Sequence, residues 1–193
     1  DAATGAVAWT RKLPAAALAI TPLDDRVFVG AGDRFLYSLK TKKGGVAWRW
    51  RTGGTVTAVV AAGPKRIYFV SRDATLRALD RRHGDLRWQR PLHARAVGGP
   101  LLAGETVITA GVSPELRGFR TVDGGSAGVV PIPGWAVDGP RLAPEAGTVP
   151  ARAIVVTAGG QVLAIGQTVE PPVVPLESIP GKRLATGSRT PAR

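Results

Sequence analysis

Trp9, Trp48 and Trp88 stand 39 and 40 residues apart, and each closes a similar phrase. The phrases run from Asp1 to Trp9, from Lys40 to Trp48 and from Asp80 to Trp88, with a glycine (Gly5, Gly44, Gly84) four residues before each tryptophan. Self-similarity at a fixed period marks a chain built from stacked units, none of which can bury its apolar face alone. A period near 40 points first to the blades of a β-propeller. The repeat therefore constrains the fold more than any single residue does.

Within one period the pattern is strand, turn, strand, turn. Arg66 to Ser71 is a β-branched and aromatic run, Arg72-Asp73-Ala74 is a turn, and Leu76 to Leu79 alternates apolar with polar residues. Asp80 to Gly84 is a second turn, Leu86 to Arg90 alternates again before Pro91, and Ala96 to Leu102 carries the small residues of a strand near a crowded axis. No 3.6-residue periodicity is sustained. The frame extends to Arg26–Gly30 with Phe35–Leu39, to Thr106–Ala110 with Leu116–Phe119, and to Ala153–Ala158 with Gln161–Ile165. Phrases start near 1, 40, 80, 120 and 166, and Ala143 to Pro150 reads as an inserted loop that lengthens the last step. Gly124 keeps the turn, but Gly128 stands where tryptophan is expected, and Pro171-Pro172 replaces the phrase after Gly166. The expectation is an all-β propeller segment of about four four-stranded blades over residues 1–176, with a leading strand at Trp9 and a basic tail over 177–193.

Composition excludes more than it selects. The net charge is +12, from 26 basic and 14 acidic residues, and no basic run exceeds three. Cysteine is absent, which removes disulfides, thiolate metal sites and cysteine nucleophiles together. No apolar run approaches the roughly 20 residues of a spanning helix. The chain starts at Asp1 and contains no methionine, so it reads as processed or excised. His83 and His93 lack metal or triad spacing, and His83 sits in a solvated turn. Asp24-Asp25 is the one acidic pair and suits a turn before a strand. Gly98-Gly99 and Gly159-Gly160 match no phosphate-binding pattern. No catalytic, cofactor-binding or metal-binding residue is assigned.

The phrases resemble the PQQ-type repeat, whose consensus runs Leu-Tyr-Ala-Leu-Asp-x-x-Thr-Gly-x-x-x-Trp. The resemblance rests on Leu36-Tyr37-Ser38-Leu39, on Leu76-Arg77-Ala78-Leu79-Asp80, and on Asp1 with Thr4, Gly5 and Trp9. It implies that Trp9, Trp48 and Trp88 dock between neighbouring blades against the glycine turns, making these tryptophans and Gly5, Gly44 and Gly84 structural. Trp50 and Trp135 lie off the period and are left open between packing and exposed contact. The family's quinoprotein dehydrogenases hold pyrroloquinoline quinone and calcium, a site poorly served by scattered acids without cysteine or asparagine. Its BamB-type scaffolds carry no cofactor and present loops to a periplasmic partner, and this chain resembles them more. The resemblance thus implies a non-enzymatic scaffold in the periplasm or at the outer membrane, with an extracytoplasmic sensor domain as the alternative. Rings of this family have seven or eight blades, so four would be half a ring: an incomplete piece of a larger propeller, which is the favoured expectation, an open arc, or one of two copies that self-associate into an eight-bladed ring. Equivalent turns of a propeller share a face, which gathers Lys42, Lys43, Arg81 and Arg82 into a basic arc. Such an arc suits an acidic protein partner or an anionic membrane surface. Nucleic acid is disfavoured, because few aromatics are free to stack on bases.

Overall fold

The computed structural model describes residues 3–58, 61–146 and 151–166, and among them the chain forms four antiparallel sheets in which consecutive strands pair. The first blade contains β1 (Ala17–Leu23), β2 (Arg26–Ala31), β3 (Phe35–Lys40) and β4 (Val46–Arg51). The second contains β5 (Ala61–Ala62), β6 (Arg66–Ser71), β7 (Thr75–Asp80) and β8 (Leu86–Pro91). The third contains β9 (Leu101–Ala103), β10 (Thr106–Ala110), β11 (Glu115–Arg120) and β12 (Ser126–Pro131). The fourth contains β13 (Arg141–Ala143), β14 (Arg152–Val156) and β15 (Val162–Ile165). Together they make a four-bladed β-propeller arrangement, with three strands of the last blade among the described residues.

Burial explains the sequence pattern of each strand. The middle strands are covered on both faces, β6 and β7 by the blades on either side, β2 and β3 by blade 2 and by the segment carrying Trp9 and Leu13, so they read as nearly unbroken apolar runs. The outer strand β4 alternates between covered and open positions. Phe28, Leu36, Val56, Ile67, Phe69 and Leu79, all fully buried, form the core between blades 1 and 2. Tyr68, Leu76, Trp88 and Val107 belong to the core between blades 2 and 3, and Ala110, Leu116 and Val155 to that between blades 3 and 4. Each junction resembles a small sheet-on-sheet core, which is why the aromatic and branched residues concentrate at period-related positions.

Two expectations need correction. Residues around Trp9 join no strand, so the leading strand is absent from the ladders although the ring still docks. Ala96 to Leu102 is not one strand. Ala96 makes a single bridge to Gly111, and regular pairing starts at Leu101. The interruption is Gly98, whose φ of +64° and tight approach to Gly139 leave no room for a side chain. Glycine here lets two inner-strand entries touch backbone to backbone. Among the described residues the fourth blade shows three strands. Of the inserted loop, residues 147–150 lie outside the described residues, as do Asp1, Pro171-Pro172 and the tail from 177 to 193.

Candidate interaction surface

The tryptophans reach forward across the blade junctions. Trp9 Nε1–H donates to the Thr41 carbonyl at 2.7 Å, Trp48 Nε1–H to Arg81 at 3.2 Å, and Trp88 Nε1–H to Thr121 at 2.9 Å. Each ring lies flat on the glycine that ends the next turn, so that a Cβ at Gly44, Gly84 or Gly124 would enter the ring. All three glycines have positive φ, at +63°, +82° and +71°, which is the second reason no other residue suits the position. Gly5 keeps the left-handed turn at φ +68°, but among the described residues no ring rests on it.

A second contact accompanies the first and was missed from the sequence. Arg11 Nε donates to the Gly44 carbonyl at 2.9 Å, and Arg90 Nε to the Gly124 carbonyl at 3.0 Å. Both stand two residues after a docking tryptophan, where blade 1 has Trp50. Trp50 is thus off the tryptophan period but on the period of this second position. Its ring packs on the core between blades 1 and 2, with Nε1 buried and unpartnered. Trp135, by contrast, is 53% exposed.

The docking turns share one face with the first turn of each blade. Thr41 N–H donates to the Asp25 carbonyl, Arg81 N–H to Lys65 and Thr121 N–H to Glu105, at 2.8–3.0 Å. A polar groove of about 570 Å³ opens there between blades 1 and 2, lined by Asp25, Arg26, Lys65, Asp80, Arg82 and His83 among others. Arg81 is not a free cation. It is largely covered and ion-paired across the junction to Asp24 at 2.5 Å, with Asp25 at 3.9 Å. The charge of Arg81 is thus engaged across the junction between two blades. Lys42, Lys43 and Arg82 are exposed and make no ion pair among the described residues, and Lys65 joins them from the β5–β6 turn.

Asp80 organises its turn. It accepts the Arg82 and His83 backbone N–H groups at 2.9 Å each, the Arg87 guanidinium at 2.9 Å, and lies 3.2 Å from His83 Nδ1. Burial pushes its carboxyl upward, but Arg87 and then the two N–H groups outweigh burial and hold it at about 2. A depressed carboxylate contributes stability that is present above its ordinary value of 3.8 and is lost as pH falls toward about 2. The thermal midpoint of the chain is expected to drop over that interval, and Asp80→Asn to show a smaller drop. Equal pH sensitivity in the two proteins would remove Asp80 from the explanation.

On the axis, the inner strands surround a cavity of about 720 Å³. Among its lining residues Asp138 is the one carboxylate, and it is bound to Arg141 at 2.9 Å and to the Gly139 N–H at 2.7 Å. The rest of the lining is alanine, glycine, proline, threonine, leucine and isoleucine, with Arg141. Among the described residues no group of three or more acidic, histidine or cysteine side chains is placed to hold a metal. This lining does not fit a quinone with calcium, which requires several converging oxygen ligands.

Four-strand units stapled by an indole from one outer segment onto the next turn define a docking-tryptophan β-propeller. The chain belongs to the family described as outer membrane protein assembly factor BamB, whose family model matches residues 1–178. No curated protein matches it. Among solved structures, BamB from Moraxella catarrhalis has a TM-score of 0.68 at 16% identity, covering 83% of this chain and 50% of that one. The computationally designed Ika4 protein has a TM-score of 0.67 at 13% identity, covering 84% of this chain and 100% of that one. BBS1N, crystallised in complex with ARL6DN, has a TM-score of 0.64 at 16% identity, covering 78% and 48%. These identities show the fold alone. The chain spans half the length of the BamB structure it matches.

Proposed function

We propose that this chain is a non-enzymatic protein-binding scaffold of the cell envelope, working in outer-membrane β-barrel assembly as its family's description suggests. The observation that carries the reading is the set Lys42, Lys43, Lys65 and Arg82. These cations are exposed on one face and unpaired among the described residues, whereas Arg26 and Arg81 nearby are held by acids. Unpaired cations on a rigid face favour encounter with an acidic protein surface and set its orientation. Among the described residues the axial lining offers no assembled ligand set for the family's dehydrogenase chemistry. The fold supports an interaction role, since stacked blades hold their turns in fixed relation.

A photo-crosslinker placed at Lys43 or Arg82 in the cell tests the proposal. The expected product is an adduct with an envelope protein. Reversal of the other three cations to glutamate should remove at least about nine-tenths of it, as expected when several steering charges are lost, with the fold intact by circular dichroism. Crosslinking that is indifferent to charge reversal, or confined to cytoplasmic proteins, overturns the proposal.

A further inference from the structure

One row of side chains crosses each blade from its second strand to its fourth. It reads Phe28, Ser38, Trp48 in blade 1 and Tyr68, Ala78, Trp88 in blade 2. In blade 3 it reads Ile108, Gly118, Gly128. In the first two rows the indole packs 5.8 Å from Phe28 and 5.7 Å from Tyr68, centre to centre, and fills the junction. In the third both rings are missing, and a cleft of about 560 Å³ stands between blades 3 and 4. Ile108, Leu116 and Gly118 line it from one side, Ala153 and Ile165 from the other. The backbone at Gly128 has φ +135°, so the chain has also given up the conformation that would carry a tryptophan there. Arg152 lies at the cleft, exposed and without an ion pair among the described residues.

We infer that this cleft is a binding site for an aromatic ring with a neighbouring carboxylate, supplied by a tryptophan or phenylalanine beside an acidic residue of a partner polypeptide. The walls are those of a junction that twice elsewhere in the chain closes on an indole. A mostly apolar cleft with one charged group at its edge takes an apolar body and fixes its orientation through the charge. Charge complementarity comes from Arg152, whose guanidinium can pair a carboxylate in two parallel hydrogen bonds. The site lies at a different junction from the cationic groove, and it rests on the scaffold reading only in taking the ring from a polypeptide.

Indole-3-acetate titrated into the full chain, followed by calorimetry and by NMR shifts, tests the cleft apart from any cellular partner. Saturable one-site binding is expected, with competition by acetyl-Trp-Asp-amide and none by acetyl-Ala-Asp-amide. Ile108→Trp, which fills the cleft from within, should weaken binding at least about tenfold, a difference of 1.4 kcal/mol. Arg152→Gln should weaken indole-3-acetate while leaving plain indole unchanged. Should Ile108→Trp fail to fold, Ile108→Phe, which restores the residue type of Phe28, serves the same purpose. Absence of saturable binding, or binding undiminished by the filling variants, overturns the inference. Crosslinking at Lys43 and Arg82 is unaffected by either result, so the two proposals fail separately.

Discussion

Trp88→Ala is expected to destabilise the chain by about 3–5 kcal/mol, the cost of deleting a large buried ring that the surroundings cannot refill. Trp88 is 6% exposed, packs on Tyr68, covers Gly124 and satisfies the Thr121 carbonyl. Its loss removes apolar burial and a hydrogen bond together, at a junction whose two sheets share no ladder. Trp9→Ala should cost distinctly less, because Trp9 is half-buried and comes from a segment outside the sheets. Gly124→Ala should reproduce part of the Trp88 effect from the other side, by forcing a Cβ into the ring at a φ of +71°. Denaturant unfolding of the three variants provides the measurement. A loss below about 1 kcal/mol for Trp88→Ala, well under the cost of an ordinary large-to-small core change, would contradict its role as a staple.

The second large effect is expected at Asp73. Its carboxylate takes two hydrogen bonds from Arg77, at 2.7 and 3.1 Å, one from Ser71 at 2.6 Å and one from the Gly53 N–H at 3.1 Å. Burial works to raise this carboxyl, but Arg77 first, then Ser71 and Gly53, hold it below the ordinary carboxylate range. Arg77 is 8% exposed, so Asp73→Ala strands a guanidinium inside the blade. Breaking a fully buried pair costs about 3–5 kcal/mol; with the Asp73 side chain 20% exposed, roughly 2–4 kcal/mol is expected. Asp73→Ala combined with Arg77→Leu should recover a good part of that loss, since the stranded charge is gone. An equal or larger loss in the double variant would mean that the pair does more than neutralise itself. Because the folded carboxyl is depressed, its contribution is present above 3.8 and falls away as pH drops through the folded value.

The staples and the strands were legible because both are written at the level of the period. A tryptophan, a glycine four residues earlier and two apolar runs recur in register, and backbone geometry follows from those residue types alone. The Arg11 and Arg90 contacts were also within reach. Extending each phrase two residues past its tryptophan aligns them with Trp50, which then stops being an outlier. The pairing of Arg81 with Asp24 was not legible in that way. The residues lie 57 apart, and their meeting depends on which turns adjoin across a junction. The same is true of Lys65, a cation after Gly63-Pro64 that enters the groove because its turn borders the docking turn of its own blade. Trp9 shows the reverse case: its phrase is regular and its ring docks, yet no ladder receives it, because docking requires a floor and a strand requires a neighbour.

Each of the three docking indoles lands on a turn made later in the chain: Trp9 on Gly44, Trp48 on Gly84, Trp88 on Gly124. During synthesis each blade therefore leaves an uncovered aromatic ring until some 35 or 36 further residues have appeared. At about 5–20 residues per second, that is a delay of roughly two to seven seconds per blade. Maturation becomes polar, because the ring of each unit is covered only when the turn of its successor has been made. In a series of C-terminal truncations the losses should fall in steps as Gly124, Gly84 and Gly44 disappear, offset from the blade boundaries. A nascent chain of this design advertises its unfinished state through one exposed indole at a time.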